Sequence, residues 1–383
     1  MYKRQCHYRR GTLLHHQGKG FGAELLAGGS LAEAGPFHQF YTNAAMRGVV
    51  KTLYNKLDNV EIYGIEEGYR GLIYSKYHLL DSREFSGILT KGGTILGSSR
   101  QPFKLMRVPD ENGLDKVEAM KSTYHKLNLD CLVILGGNGT HKTANLLSEE
   151  GLNIVTLPKT IDNDIWGTDM TFGFQSAVNI ATDAIDCIHT TAASHGRVFI
   201  VEVMGHKVGW LTLHAGIAGG ADIILVPEIP YDINKVAQAI ERREKAGKRF
   251  TILAVAEGAI SKEDAALSKK EYKEKLKKSK FPSISYELAD QIRQLTGHEI
   301  RITVPGHTQR GGSPCPYDRV ISTRFGAAAA ELILNKEYGY MVGMINGEIK
   351  KVPLSEVAGK LKTIDPNCSI IKEAKDVGIS FGD

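Results

Sequence analysis

The chain has little that would suit it to a membrane, an oxidising compartment or nucleic acid. No apolar run approaches the roughly 20 residues of a membrane-spanning helix. The first residues carry no basic region leading into an apolar stretch and a cleavage site, which predicts a soluble, cytoplasmic protein. Cys6, Cys131, Cys187, Cys315 and Cys368 are odd in number, widely scattered and never spaced as C-x-x-C, a pattern of reduced thiols rather than of a disulfide frame. The net charge is only +5, and no basic stripe interleaves with aromatics, which argues against a nucleic-acid partner and leaves room for small anionic ligands. Internal repeats and low-complexity tracts are absent, as are the G-x-x-x-x-G-K-[ST] and G-x-G-x-x-G spacings of the common phosphate-binding loops.

What is present is an ordinary globular composition, 42% apolar and 24% charged, on 383 residues, a length that predicts two domains. From Thr42 onward, short β-rich runs at 59–65, 131–135, 153–157, 197–203, 222–226 and 250–256 alternate with amphipathic helical spacing, notably at 174–189 and 232–246. That alternation predicts an α/β protein of two Rossmann-like three-layer domains with mainly parallel sheets and the active site in the cleft between them. The expected division is 42–173 plus 309–360 for one domain and 174–308 plus 361–383 for the other. Residues 261–280, with eight Lys and four acids, read as a solvated helix or insert. Residues 1–41 show no convincing strand pattern and read as an atypical, irregular segment.

Chemistry concentrates at strand ends. The run 153–157 empties into Pro158-Lys159-Thr160-Ile161-Asp162-Asn163-Asp164, where the proline predicts a turn. Two carboxylates at i and i+2 on extended backbone point the same way, one free to accept a proton while the other serves a metal or an orienting contact. An Asx-rich turn without catalytic purpose has the same composition. Upstream, 131–135 leads into Gly136-Gly137-Asn138-Gly139-Thr140 and a helical pattern, the arrangement that turns backbone N–H groups toward phosphate oxygens. A third loop, Gly92-Gly93-Thr94-Ile95-Leu96-Gly97-Ser98-Ser99-Arg100, ends in a cation. The later part adds Glu202-Val203-Met204-Gly205-His206-Lys207, Glu257-Gly258 and Pro305 to Pro314, each after a β-rich run.

In this order the motifs resemble the bacterial-type 6-phosphofructokinases, over about Thr42 to the C-terminus. The resemblance implies phosphorylation of fructose 6-phosphate at its 1-hydroxyl by ATP with Mg²⁺ in glycolysis, in a homotetramer or homodimer whose active sites are shared across subunits. It implies Asp162 as general base, Thr160 against the sugar or the transferring phosphate, Asp164 supporting the metal or the loop, and Arg100 offsetting transferred charge. Gly137, Asn138, Gly139, Thr140 and Lys159, with Arg100, fall at the nucleotide positions. Arg197, Met204, Gly205, His206, Glu257, Arg301, His307 and Arg310 fall at the sugar-phosphate positions, with Arg197 and Arg301 reaching across a subunit boundary.

Three departures from the family pattern matter. Asn138 stands where many ATP-using relatives have Asp, so its amide oxygen is a weaker metal ligand beside Asp164. Gly139 leaves room for a nucleotide's α-phosphate, while Lys159 is the residue usual in diphosphate-dependent members; the mixed pair favours ATP and leaves diphosphate as the alternative donor. The family opens with a strand and a GGD-x-x-G loop. Here Ala27-Gly28-Gly29-Ser30 is a poor substitute, which raises the alternative of a catalytically impaired sugar-phosphate or nucleotide binder.

Overall fold

The computed structural model describes the backbone of residues 21–27 and the whole of residues 42–383. Among these, twelve strands form two sheets. The first holds β1 (Phe21–Ala27), β2 (Val60–Ile65), β3 (Tyr77–Leu79), β4 (Cys131–Gly136), β5 (Ile154–Thr160), β6 (Phe172–Gly173), β11 (Tyr340–Ile345) and β12 (Glu348–Pro353), in the order β12-β11-β5-β4-β1-β2-β3 with β6 beside β5. The second holds β7 (Val198–Val203), β8 (Ile223–Leu225), β9 (Thr251–Ala256) and β10 (Ile300–Thr303), in the order β10-β7-β9-β8. All pairings between these strands are parallel except β2 with β3 and β11 with β12. The chain therefore builds the first sheet, crosses to the second, and returns to the first with the β11–β12 hairpin.

Each sheet is covered on both faces, which is why its strands read as unbroken apolar runs. Along β4, Cys131, Val133 and Leu135 join one core while Leu132 and Ile134 join the core on the opposite face. The first core is filled by Met46 and Leu53 of the helix Thr42–Lys56 and by Phe325 and Ile333 of Pro316–Leu334; the second by Met120 of Lys116–Lys126 and Leu147 of Asn138–Glu149. In β9 the same period of two sends Ile252 and Ala254 toward the helices Phe174–His195 and Trp210–Ala218, and Leu253 and Val255 toward Ile233–Lys245 and Ile284–Thr296. Fully burying one such Leu, Ile or Phe side chain contributes roughly 1.5–3 kcal/mol. The lysine-rich stretch forms the short helices Lys262–Ala265 and Lys269–Lys278, and the second buries no residue, as its composition predicts.

Two expectations need correction. A strand does precede Thr42: β1 lies in the middle of the first sheet, with Leu25 opposite Gly64 of β2 on one side and Val133 of β4 on the other. Its sequence, FGAELLA, has helix-forming Ala, Glu and Leu and a glycine, so local propensity hides a strand that pairing on both edges specifies. The glycines Gly28 and Gly29 lie outside the described residues. Second, Pro158 does not end its strand. β5 continues to Thr160, with Pro158 opposite Gly136 and Lys159 opposite Phe172, so the turn begins only after Thr160.

Candidate active site

The carboxyl ends of β4 and β5 from the first sheet meet the segments that follow β7 and β10 from the second. Between them is a cleft of about 490 Å³ lined by Gly137, Asn138, Gly139, Lys159, Thr160, Asp162, Asp164, His206 and Arg310, together with Pro102, Phe103, Lys104, Lys142, Lys207, Gly359, Lys360 and Leu361. Nine of the lining residues are sequence candidates, and they come from stretches more than 170 residues apart in the chain. Carboxyl strand edges are where open parallel sheets bind ligands.

On the first-sheet side, Gly137 starts the helix Asn138–Glu149 without a side-chain cap, so amides of its first turn face an incoming anion at the positive end of the helix dipole. His141, fully buried one turn in, bonds through Nδ1 to the Gly137 carbonyl at 2.9 Å and braces the loop. Burial lowers this imidazole to about 4, against that hydrogen bond. The unfolded chain therefore takes up a proton near 6.5 that the folded ring refuses, and the corresponding stability, up to about 3 kcal/mol, is present above 6.5 and is lost as pH falls toward 4. His141→Gln should flatten that part of the stability profile in calorimetry; an unchanged acid slope would assign the loss to other groups.

The acidic turn is built differently from the sequence expectation. Asn163 has φ 52°, in the left-handed region that Asn tolerates better than most residues, so Asp162 and Asp164 converge through a tight turn rather than along extended backbone. Asn163 is buried and held through both ends of its side-chain amide: its Oδ1 accepts from the Thr171 amide at 3.0 Å and from Lys362 Nζ at 2.9 Å, and its Nδ2 donates to the Asp169 carbonyl at 3.2 Å. Thr160 Oγ1 accepts from the Asp162 amide at 3.1 Å, holding the next strand-end residue. Asn138 Nδ2 donates to Asp164 Oδ2 at 2.7 Å and to the Asp164 carbonyl at 3.0 Å, tying the glycine loop to the acidic turn.

These bonds leave three buried oxygens, Asp162 Oδ1, Asp164 Oδ1 and Asn138 Oδ1, with no protein partner, all on side chains that line the cleft. Burial first, and the Asp162 carboxylate second, push the Asp164 carboxyl well above the usual range, against the Asn138 hydrogen bond and Lys362. A hard divalent cation would relieve both the like-charge contact and the missing oxygen partners, so the donor set fits Mg²⁺. Lys159 is pulled down to about 8 by burial and by Arg310, with Asp162 opposing.

On the second-sheet side, the ends of β7 and β9 are clipped together. Glu257 Oε1 accepts from the amides of His206 at 2.6 Å and Gly205 at 3.2 Å. The contact needs Gly258, where a Cβ would stand 2.3 Å from the His206 carbonyl oxygen. Gln309, buried and missed by sequence reasoning, accepts from the Met204 amide and donates to the Gly306 carbonyl, and Arg310 Nε lies 3.4 Å from Met204 Sδ. Met204, Gly205 and Glu257 thus support the cleft wall through His206 and Arg310, and His307 sits in the same short helical turn, Gly306–Arg310. Thr140 follows the glycine loop inside its helix, and Arg100 precedes the lining residues Pro102 to Lys104. The loop before Arg100 is anchored by buried Asn43, which bonds the carbonyls of Lys91 and Gly92 and the amide of Ile95. Gly92 itself lies so close to Gly312 that a Cβ would stand 2.1 Å from its carbonyl oxygen.

Arg197 and Arg301 are elsewhere. Both pair with Glu299, Arg197 through Nε at 2.7 Å, at the amino end of β7 and the facing part of β10. Met204 follows the opposite end of β7, about 20 Å along an extended strand, so neither guanidinium belongs to this chain's own cleft. Sequence reasoning also missed Lys142, one turn beyond Gly139 on the same helix, which the 3.6-residue period could have revealed. It missed Lys360, Leu361 and Lys362, which carry no motif.

The family model described as Phosphofructokinase matches residues 42–333. An ATP-dependent 6-phosphofructokinase of Spirochaeta thermophila is 57% identical over 348 residues, covering 89% of this chain and 94% of that protein. ATP-dependent 6-phosphofructokinase 3 of Bacteroides thetaiotaomicron is 46% identical, covering 89% and 96%. Among solved structures, the Pichia pastoris phosphofructokinase in the T-state superposes with TM-score 0.75 at 30% identity over 88% of this chain, which spans 35% of that longer chain. A pyrophosphate-dependent phosphofructokinase of Marinobacter aquaeolei gives TM-score 0.75 at 20% identity, a likeness of fold. Among the described residues no helix is long and apolar enough to cross a membrane.

Proposed function

This chain belongs to the phosphofructokinase family, and we propose that its cleft carries out the family reaction with Asp162 as general base and ATP as donor. It is an ATP-dependent 6-phosphofructokinase, transferring the γ-phosphoryl group of ATP to the 1-hydroxyl of fructose 6-phosphate and releasing ADP. The observation that carries the residue assignment is Asp162 itself, a buried carboxylate on the cleft wall whose Oδ1 has no protein partner, where the amide-lined loop of one sheet faces the cations of the other.

The sugar hydroxyl loses its proton to Asp162 as its oxygen bonds to phosphorus and the bond to the ADP oxygen breaks; the carboxyl then returns the proton to solvent. A carboxylate suffices because the hydroxyl becomes acidic only as that bond forms. Thr160 fixes the Asp162 backbone, and Lys159, on the cleft wall with Asp162, stands where the transferring phosphoryl charge develops. Asn138, Gly139 and Lys142 face the donor phosphates, and His206 and Arg310 the sugar phosphate. Mg²⁺ would be held by Asp164 with the Asn138 amide oxygen, and when bound it neutralises donor phosphate charge.

Arg197 and Arg301, too far from this chain's cleft, support an oligomer in which each reaches a neighbour's sugar-phosphate site. On that reading Arg301→Ala raises the half-saturation for fructose 6-phosphate about 10- to 100-fold with a smaller effect on ATP. Equal effects on both substrates would take Arg301 out of the site. The domain division at 173, 308 and 360 is supported by the way strands sort between the two sheets. Lys159 alone favours diphosphate, and initial rates with each donor decide: a large advantage for diphosphate would refute ATP as donor.

A further inference from the structure

We propose that Lys362 is a positioning residue for the phosphoryl transfer, its ammonium clamping the turn 163–169 from outside the cleft so that the two flanking carboxylates keep their separate directions. It rests on the reading of Asp162 as base. Lys362 lies 199 residues beyond Asn163, in the segment that passes from the first sheet to the C-terminal helix Ser369–Asp376 on the second. Its Nζ makes three hydrogen bonds, to Asn163 Oδ1 at 2.9 Å, the Thr168 carbonyl at 2.8 Å and the Asp169 carbonyl at 2.9 Å, which uses all three ammonium donors.

Those acceptors are the two ends of one loop. Asn163 holds the left-handed conformation between Asp162 and Asp164, and its own amide reaches the Asp169 carbonyl, so Lys362 and Asn163 close the turn from both sides. Loss of the ammonium leaves Asn163 Oδ1 one partner poorer and removes a half-buried donor from the Thr168 carbonyl. A left-handed non-glycine residue persists only when its surroundings hold it.

The backbone of the same segment is docked independently of the ammonium. The Lys362 amide donates to the Asp164 carbonyl at 2.9 Å, Trp210 Nε1 donates to the Lys362 carbonyl at 3.0 Å, Ile165 pairs with Leu361, and the Ile364 amide donates to Glu228. Lys362→Met therefore removes the clamp while the segment, including the cleft residues Lys360 and Leu361, stays in place.

The test compares K362M with the parent by steady-state kinetics and by crystal structures of both proteins. The expected result is a kcat lowered about 100-fold, the size of a roughly 1 Å misplacement, with half-saturation for fructose 6-phosphate and ATP changed less than about threefold, and the turn 162–169 displaced in the crystal. A turn that superposes on the parent overturns the proposal, and so does an unchanged kcat. Should the parent fail to phosphorylate fructose 6-phosphate, the assigned reaction falls and the crystal comparison alone decides the clamp. If K362M does not fold, Lys362→Leu, which likewise removes every donor, replaces it; parental kcat and an undisplaced turn in that variant overturn the clamp equally.

Discussion

Asp162→Asn lowers kcat for phosphorylation of fructose 6-phosphate by about 10³-fold while its half-saturation moves little. The substitution keeps the shape of the side chain and the Thr160 contact to its backbone, and removes only the capacity to accept a proton. The neighbouring carboxyl is a poor replacement. Asp164 is held by Asn138 through its Oδ2, and burial beside Asp162 already disfavours its ionised form. Rates measured under saturating ATP and Mg²⁺ would reveal the loss, and a kcat within a fewfold of the parent would transfer the base role to another group.

Gly139→Asp lowers kcat/KM for ATP by about 100-fold or more and shifts relative donor use toward diphosphate. Gly139 is the second residue of the helix whose amino end is proposed to face the donor phosphates, on the cleft wall shared with Lys142 and Lys159. A carboxylate there meets the nucleotide's phosphates with like charge, which costs several kcal/mol at close range, and its bulk competes with the α-phosphate that diphosphate lacks. Parallel kinetics with both donors give the ratio; an ATP preference unchanged by the substitution would show that Gly139 does not govern donor choice.

Much of this was legible because each motif follows an apolar run whose period is set by a doubly covered sheet. The apolar runs 131–135, 153–157, 197–203 and 250–256 announced their strands, though not that the second continues to Thr160, and the carboxyl ends brought GGNGT, PKTIDND, MGH and Glu257 to one place. What stayed hidden has two physical sources. β1 takes its conformation from neighbours on both edges, against the local preference of FGAELLA. Lys362 and Gln309 act on the turn and on the end of β7 through contacts 199 and 105 residues apart in the chain, at positions no periodicity marks. Arg197 and Arg301 show the converse: their motif positions were readable, but only the fold shows that a strand's length separates them from Met204 and its cleft.

The most direct measurement is a crystal structure of the protein with fructose 6-phosphate bound. The sugar's 1-hydroxyl should lie within about 3 Å of an Asp162 carboxylate oxygen, with the 6-phosphate on the second-sheet side near His206 and Arg310. A sugar bound outside the cleft, or with its 1-hydroxyl against Asp164 and away from Asp162, would contradict the assignment of base and substrate.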